Sequence, residues 1–229
     1  MKTIKTYTKQ LRAVPSPAER GVLTKLSTPQ KIQDFLDRFP TREGMRGGVH
    51  VRSPLQAYKS GRFHCMEGAL FAALALAYHG WRPMLMDLQS VPHDWDHVVA
   101  LFKQNGLWGA ISKTNHPVLR WRDPVYRTPR ELAMSYFNEY FLPDRGKHFR
   151  KKTMVAYSKP FDLSRYPPER WLDTPSLDWL AEELDASPHL PTLSARMRKN
   201  LRRADFIEIR ALRLREWTRD GKKARSFNA

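Results

Sequence analysis

Apolar positions along the chain switch period several times, and each switch predicts an element. From Thr28 to Phe39 the residues Ile32, Phe35, Leu36 and Phe39 recur at helical spacing. Thr28-Pro29 supplies a hydroxyl N-cap followed by proline at the first helical position, and Pro40 ends the run. From Met66 to Tyr78 nearly every position is apolar or small. A helix apolar all round is buried, so this stretch predicts a central helix, stopped by His79-Gly80. Trp81 to Leu88 has the content of a buried strand, Gln89 to Asp96 reads as a loop, and His97 to Phe102 reads as a second strand. Asn105-Gly106 is a strong hairpin signal, with Leu107 to Ser112 as the return strand. Thr128-Pro129 opens another capped helix over Arg130 to Phe141, with Leu132, Tyr136, Phe137 and Tyr140 on its inner face. Met1 to Thr28 reads as an extended lead-in and Arg42 to Gly61 mainly as loop, including Arg46-Gly47-Gly48. After Leu142 come proline-rich turns, a short helix near Leu177 to Leu184, and a basic tail from Arg196. Within that tail, the stretch from Ile207 to Leu214 reads as an amphipathic helix or a short strand.

These elements divide the chain into a lead-in (1–27), a core (28–141) and a basic C-terminal extension (142–229) packed on the core. At 229 residues and 41% hydrophobic content the chain can bury a real core. Charge adds a second theme. Forty Lys+Arg against 23 Asp+Glu give +17, which favours contact with a polyanion; the basic tail could grip nucleic acid, an acidic protein partner or a membrane surface. A single cysteine excludes an intramolecular disulfide and suits a reducing compartment. No apolar run approaches the ~20 residues that span a bilayer. The basic N-terminus lacks the apolar block of a signal peptide, so the expected location is cytoplasmic.

That cysteine, Cys65, stands at the start of the apolar helix, and His97 opens a strand. A thiolate is the nucleophilic form, and a helix N-terminus with an imidazole beside it favours the thiolate. Arg62 and His64 add positive potential. His97 is then the candidate general acid–base. The Cys65 backbone N–H would donate to an oxyanion, with Gln56 from the upstream loop as candidate second donor. His64, Cys65, His93 and His97 are all ligand types for zinc, but the His93–His97 pair spans the Asp94-Trp95-Asp96 loop and lacks tight metal-site spacing, so neither metal nor cofactor is expected. Asp94 and Asp96 read as loop caps, and Glu67 as a carboxylate favoured by the helix dipole.

Gly61-Arg62-Phe63-His64-Cys65, Tyr78-His79-Gly80-Trp81-Arg82-Pro83, Asp96-His97-Val98-Val99-Ala100-Leu101-Phe102 and Asn105-Gly106-Leu107-Trp108 together resemble the core of a transglutaminase-like domain, of the papain-like cysteine-peptidase superfamily. The resemblance spans Gly61 to Ser112. It implies an α+β fold, a central buried helix packed on a small antiparallel sheet, with cysteine and histidine as catalytic residues. The family's usual aspartate on the return strand is replaced here by Ser112. With Asn105-Gly106 as a two-residue turn, paired residue numbers sum to 211, so Ser112 lies diagonal to His97 on the same face. Asn115 offers an amide oxygen to the imidazole but points to the other face unless a bulge intervenes. The third catalytic position is therefore Ser112 or Asn115. The implied function is cysteine-dependent acyl transfer or hydrolysis of an amide or peptide bond through a Cys65 thioester. The alternative is a catalytically inactive module of that fold, binding nucleic acid or a protein through its basic surface.

Overall fold

Four helices in this protein start where a hydroxyl residue meets a proline, at Ser16-Pro17, Thr28-Pro29, Ser53-Pro54 and Thr128-Pro129. In the computed structural model, which describes residues 3–42, 50–143, 146–218 and 220–224, Thr28 Oγ1 accepts the N–H of Lys31 and Thr128 Oγ1 that of Glu131. Ser16 does the same for Glu19, whose carboxylate returns a bond to the Ser16 N–H. The helices that follow are α1 (Ile4–Ala13), α2 (Pro17–Lys25), α3 (Pro29–Leu36), α4 (Pro54–Ser60) and α5 (Cys65–Tyr78). Then come β1 (Met84–Ser90), β2 (His97–Gln104), β3 (Leu107–Ile111), β4 (Arg122–Tyr126), α6 (Pro129–Phe137), β5 (Met154–Ser158) and β6 (Phe161–Asp162). The chain finishes with α7 (Asp178–Asp185), β7 (His189–Pro191), α8 (Ala195–Arg198) and α9 (Phe206–Arg213).

The fold is α+β. Among the described residues the strands form one seven-stranded antiparallel sheet in the order β4-β3-β2-β1-β5-β7, with β6 also on β1. Asn105 and Gly106 both take positive φ, 50° and 81°, as a two-residue hairpin turn requires. Pairs across it run from Gln104–Leu107 to Ala100–Ile111, the register summing to 211. Alternate side chains feed two cores. Leu85, Val98, Ala100, Phe102 and Ile111 pack against α5, where every residue from Met66 to Tyr78 is buried. Met86, Leu88, Val99, Leu101 and Ala110 pack on the other face against Leu132, Ala133, Tyr136 and Phe137 of α6.

Three expectations need correction. Residues 1–27 are no extended lead-in: α1 and α2 fill most of the stretch, and Tyr7, Leu11, Leu23 and Leu26 are buried against α5. Nor does a separate extension begin at residue 142. β5, β6 and β7 complete the sheet, and Leu163, Trp171, Leu172, Leu177 and Leu180 belong to the α5 core. Only the part after β7 behaves as a surface tail, docked through Ala204, Ile209 and Leu212 on Phe141. In that tail the ambiguous stretch is helical, as α9. The expected loop at Arg42–Gly61 contains α4, while Arg46-Gly47-Gly48 lies outside the described residues.

Candidate active site

Cys65 is the first residue of α5, where backbone N–H groups have no intrahelical acceptor. The helix entry is fixed by Glu67, whose carboxylate accepts the His64 N–H at 2.8 Å. Glu67 is fully buried, and two arginines converge on it: Arg42 Nη2 at 2.7 Å, and Arg52 through Nε at 2.8 Å and Nη2 at 2.9 Å. Burial pushes the Glu67 carboxyl up, but the Arg52 hydrogen bonds, the His64 N–H and the arginine charges outweigh it and hold the group below its usual value. Where the sequence suggested only a favourable helix dipole, the structure adds an ion network around Glu67. Removing one side of such a network costs about 3–5 kcal/mol by leaving a buried charge unpaired.

Two imidazoles meet the thiol. The Cys65 sulfur is 3.6 Å from His64 Nδ1 and 3.7 Å from Nε2. Near-equal distances align it with neither N–H, so this contact acts mainly through charge. His97 lines the same cleft, near enough to the sulfur to act on it. Burial, the largest influence, pushes the thiol up; the charge and contact of His64, then the hydrogen bond and charge of His97, pull it well below its ordinary range. His64 is correspondingly raised, first by the Cys65 charge, against the opposing effect of burial.

His97 is buried, and its Nε2 lies 2.7 Å from Ser112 Oγ. The Ser112 hydroxyl spends its proton on the Leu119 carbonyl at 2.8 Å, so toward His97 it accepts. That places the proton of the neutral His97 ring on Nε2 and leaves Nδ1 as the nitrogen available for acid–base work. Ser112 is itself clamped by Gln33 of α3, which accepts the Ser112 N–H and donates to the Ser112 carbonyl, both at 3.0 Å. Next along the chain, Lys113 is buried with Nζ on the Leu36 and Phe39 carbonyls (2.9 and 2.6 Å) at the end of α3, and burial lowers its ammonium to about 8.

Of the sequence candidates, the structure brings together Cys65, His97 and Ser112. Asn115 is directed elsewhere, with its amide on the backbone of Trp217. Gln56 is also elsewhere: it lies on α4 and donates to Asp173, so it supplies nothing to Cys65. Asp94 accepts the Trp95 N–H and Asp96 the Ser90 N–H, as loop caps. His93 stacks on His148, ring centroids 4.0 Å apart. Gln33 and the Arg42–Glu67–Arg52 network escaped the sequence reading, because no spacing signal links residues so far apart. A cleft of about 430 Å³ opens over the site, lined by Cys65, His97, Asn115 and His116, by the His93–Asp96 loop, and by Leu212 and Arg215 from the tail.

Comparison with known proteins adds a distant likeness. No family model matches the chain, and no curated protein matches it. Among solved structures it is similar to LapG from Legionella pneumophila, with a TM-score of 0.34 and 14% identity over 49% of this chain and 74% of that one. The EGTA-treated form of LapG gives the same TM-score and identity, over 49% of this chain and 70% of that one. The likeness is distant and covers just under half of this chain.

Proposed function

We propose that this protein is a transglutaminase-like cysteine enzyme that transfers or hydrolyses an acyl group at an amide or peptide bond. The observation that carries the reading is a single cleft, at one helix N-terminus, lined by a thiol and by an imidazole whose Nε2 is held by Ser112. In the forward step the Cys65 thiolate attacks the amide carbon. The developing oxyanion lies at the positive end of α5, against the Cys65 N–H. His97 then delivers a proton from Nδ1 to the leaving amine as the C–N bond breaks, leaving a thioester. Water or a second amine, deprotonated by the same nitrogen, attacks the thioester and releases Cys65. His64 takes no proton in this scheme; its charge stabilises the thiolate. One free thiol suits the reducing cytoplasm, where we place the reaction.

A second reading has its own observation. Ser112 is neutral, so the charged imidazole lacks the carboxylate that the family usually supplies, and the fold would then serve only to bind a partner. Alkylation separates the two. At pH 6 a thiol of pKa ~8.5 is only about 0.3% ionised. Cys65 should therefore react with iodoacetamide tens-fold faster than glutathione, part of the gain being offset by lower nucleophilicity. His97→Ala should remove most of the excess. Ser112→Ala should slow the reaction by roughly two- to tenfold, the worth of one hydrogen bond. Reaction no faster than glutathione, unchanged by His97→Ala, would leave the binding module as the function.

A further inference from the structure

Residues 216–218 and 220–224 fold back beside Asn115, on the wall of the Cys65 cleft, as the two arms of a small hairpin. Trp217 and Lys223 face each other in an antiparallel bridge. It is closed by the Thr218 N–H on the Lys222 carbonyl and the Ala224 N–H on the Glu216 carbonyl, both 2.8 Å. With the bonds on the flanking residues, 217 and 223 form the non-hydrogen-bonded pair, so the N–H and C=O of Trp217 point out of the hairpin. One side chain takes both. Asn115 Oδ1 accepts the Trp217 N–H and Asn115 Nδ2 donates to the Trp217 carbonyl, each at 2.8 Å. The Glu216 N–H adds a longer bond, 3.4 Å, to the Asn115 carbonyl.

A carboxamide carries a donor and an acceptor at peptide spacing. Asn115 thus acts as a single residue of strand edge, reading backbone and not side chain. It stands three residues beyond Ser112 and lines the cleft that contains Cys65 and His97. The hairpin's other end reaches the loop ahead of the nucleophile, where Arg62 Nη2 donates to the Asp220 carbonyl at 2.9 Å. The occupant's fit is imperfect: among the described residues the buried indole N–H of Trp217 has no hydrogen-bond partner, which favours displacement.

We propose that Asn115 is a backbone-reading subsite for an extended polypeptide beside Cys65, and that the hairpin 216–224 is its resident occupant, which a substrate chain displaces. This rests on the acyl-transfer reading and narrows its substrate from any amide to an extended polypeptide. The recognition is of the strand-addition kind, in which main-chain hydrogen bonds provide the affinity.

The test compares two thiol reagents on the full chain, iodoacetamide and a maleimide carrying a polyethylene glycol chain. Two variants loosen the hairpin. Trp217→Ala removes its buried anchor. Lys222→Pro removes an exposed N–H bond to Thr218 Oγ1 (3.1 Å) and touches no buried group, so the fold survives it. The bulky-to-small rate ratio should rise in the variants by about fivefold, the population shift that one lost hydrogen-bonded clamp produces. A synthetic peptide of residues 214–224, added to Lys222→Pro, should restore protection, and should fail to do so once Asn115→Ala is added. An unchanged ratio in Lys222→Pro, or a peptide that protects with and without Asn115, would overturn the proposal. Slow iodoacetamide reaction at pH 6 would instead overturn the acyl-transfer reading, because the ratio reports the hairpin alone.

Discussion

Asp87 and Glu67 are both fully buried carboxylates, yet their environments push them in opposite directions. Glu67 is enclosed by arginine donors and a backbone N–H and is held low. Asp87, on β1, has His189 Nε2 at 3.1 Å from Oδ2 and no partner on Oδ1. Burial dominates there and pushes it up to about 6, against the His189 hydrogen bond and with help from the charge of Asp96. His189 is raised in turn, first by its hydrogen bond to Asp87, and Asp185 stands near enough to act on both. A carboxyl whose folded value is raised contributes stability that is complete below its unfolded value of 3.8 and lost as pH climbs through about 6. The His189 contribution is lost in the same direction, above 6.5. The Asp87–His189 pair therefore works to lower the thermal unfolding midpoint between pH 4 and 8, while the depressed Cys65 thiol works the other way toward the alkaline end. Asp87→Asn should flatten the part between pH 4 and 6, a difference on the order of 2–3 kcal/mol. A variant with the wild-type slope would show that Asp87 titrates normally.

The helix α5 and the chain just beyond β3 approach each other through a glycine. Gly68 lies one turn after Cys65 on α5, and a Cβ built there runs into the Cβ of Lys113. That close approach draws the chain beyond β3 against the helix, which sets the thiol relative to the Ser112–His97 pair. Gly68→Ala should cost about 1–3 kcal/mol from overpacking, reduced by the roughly 1 kcal/mol that alanine gains in a helix. It should also slow alkylation at pH 6, since the helix must shift away from His97. Gly21 in α2 is the control, with nothing within 4 Å of its built Cβ. Gly21→Ala should stabilise by about 0.5–1 kcal/mol. Equal effects at the two sites, measured by denaturant unfolding, would remove the packing argument.

Across the whole molecule, the basic tail does two jobs. Several arginines staple it to carbonyls: Arg198 to Met154 and Val155, Arg203 to Phe149, and Arg213 to Pro143. A carbonyl satisfies a donor without cancelling its charge, so the field of the +17 chain persists. Affinity for a polyanion column should fall linearly in log–log form with salt. Replacing the exposed Arg196, Lys199 and Arg210 with Gln should reduce that slope by about 2–3 if all three meet phosphate or sulfate groups. Their surface position predicts no change in thermal midpoint. An unchanged slope would place the basic surface away from the tail. Among the described residues, no helix is long and apolar enough to cross a membrane.

The sequence by itself determined whatever backbone geometry imposes over a few residues. Thr28-Pro29 and Thr128-Pro129 start helices, the apolar run Met66–Tyr78 is a buried helix, and Asn105-Gly106 sets a register that places Ser112 diagonal to His97. Even the helical N-terminus was legible, because Ser16-Pro17-Ala18-Glu19 is a capping-box pattern that its prolines disguised as extended chain. Tertiary structure alone decided which distant groups share a site. Glu67 meets Arg42 and Arg52 across a loop, Gln33 finds Ser112 from 79 residues away, and Asn115 leaves His97 for Trp217, 102 residues on. Such pairings carry no period, because they are selected only when burial leaves a donor and an acceptor facing each other with no water to serve either.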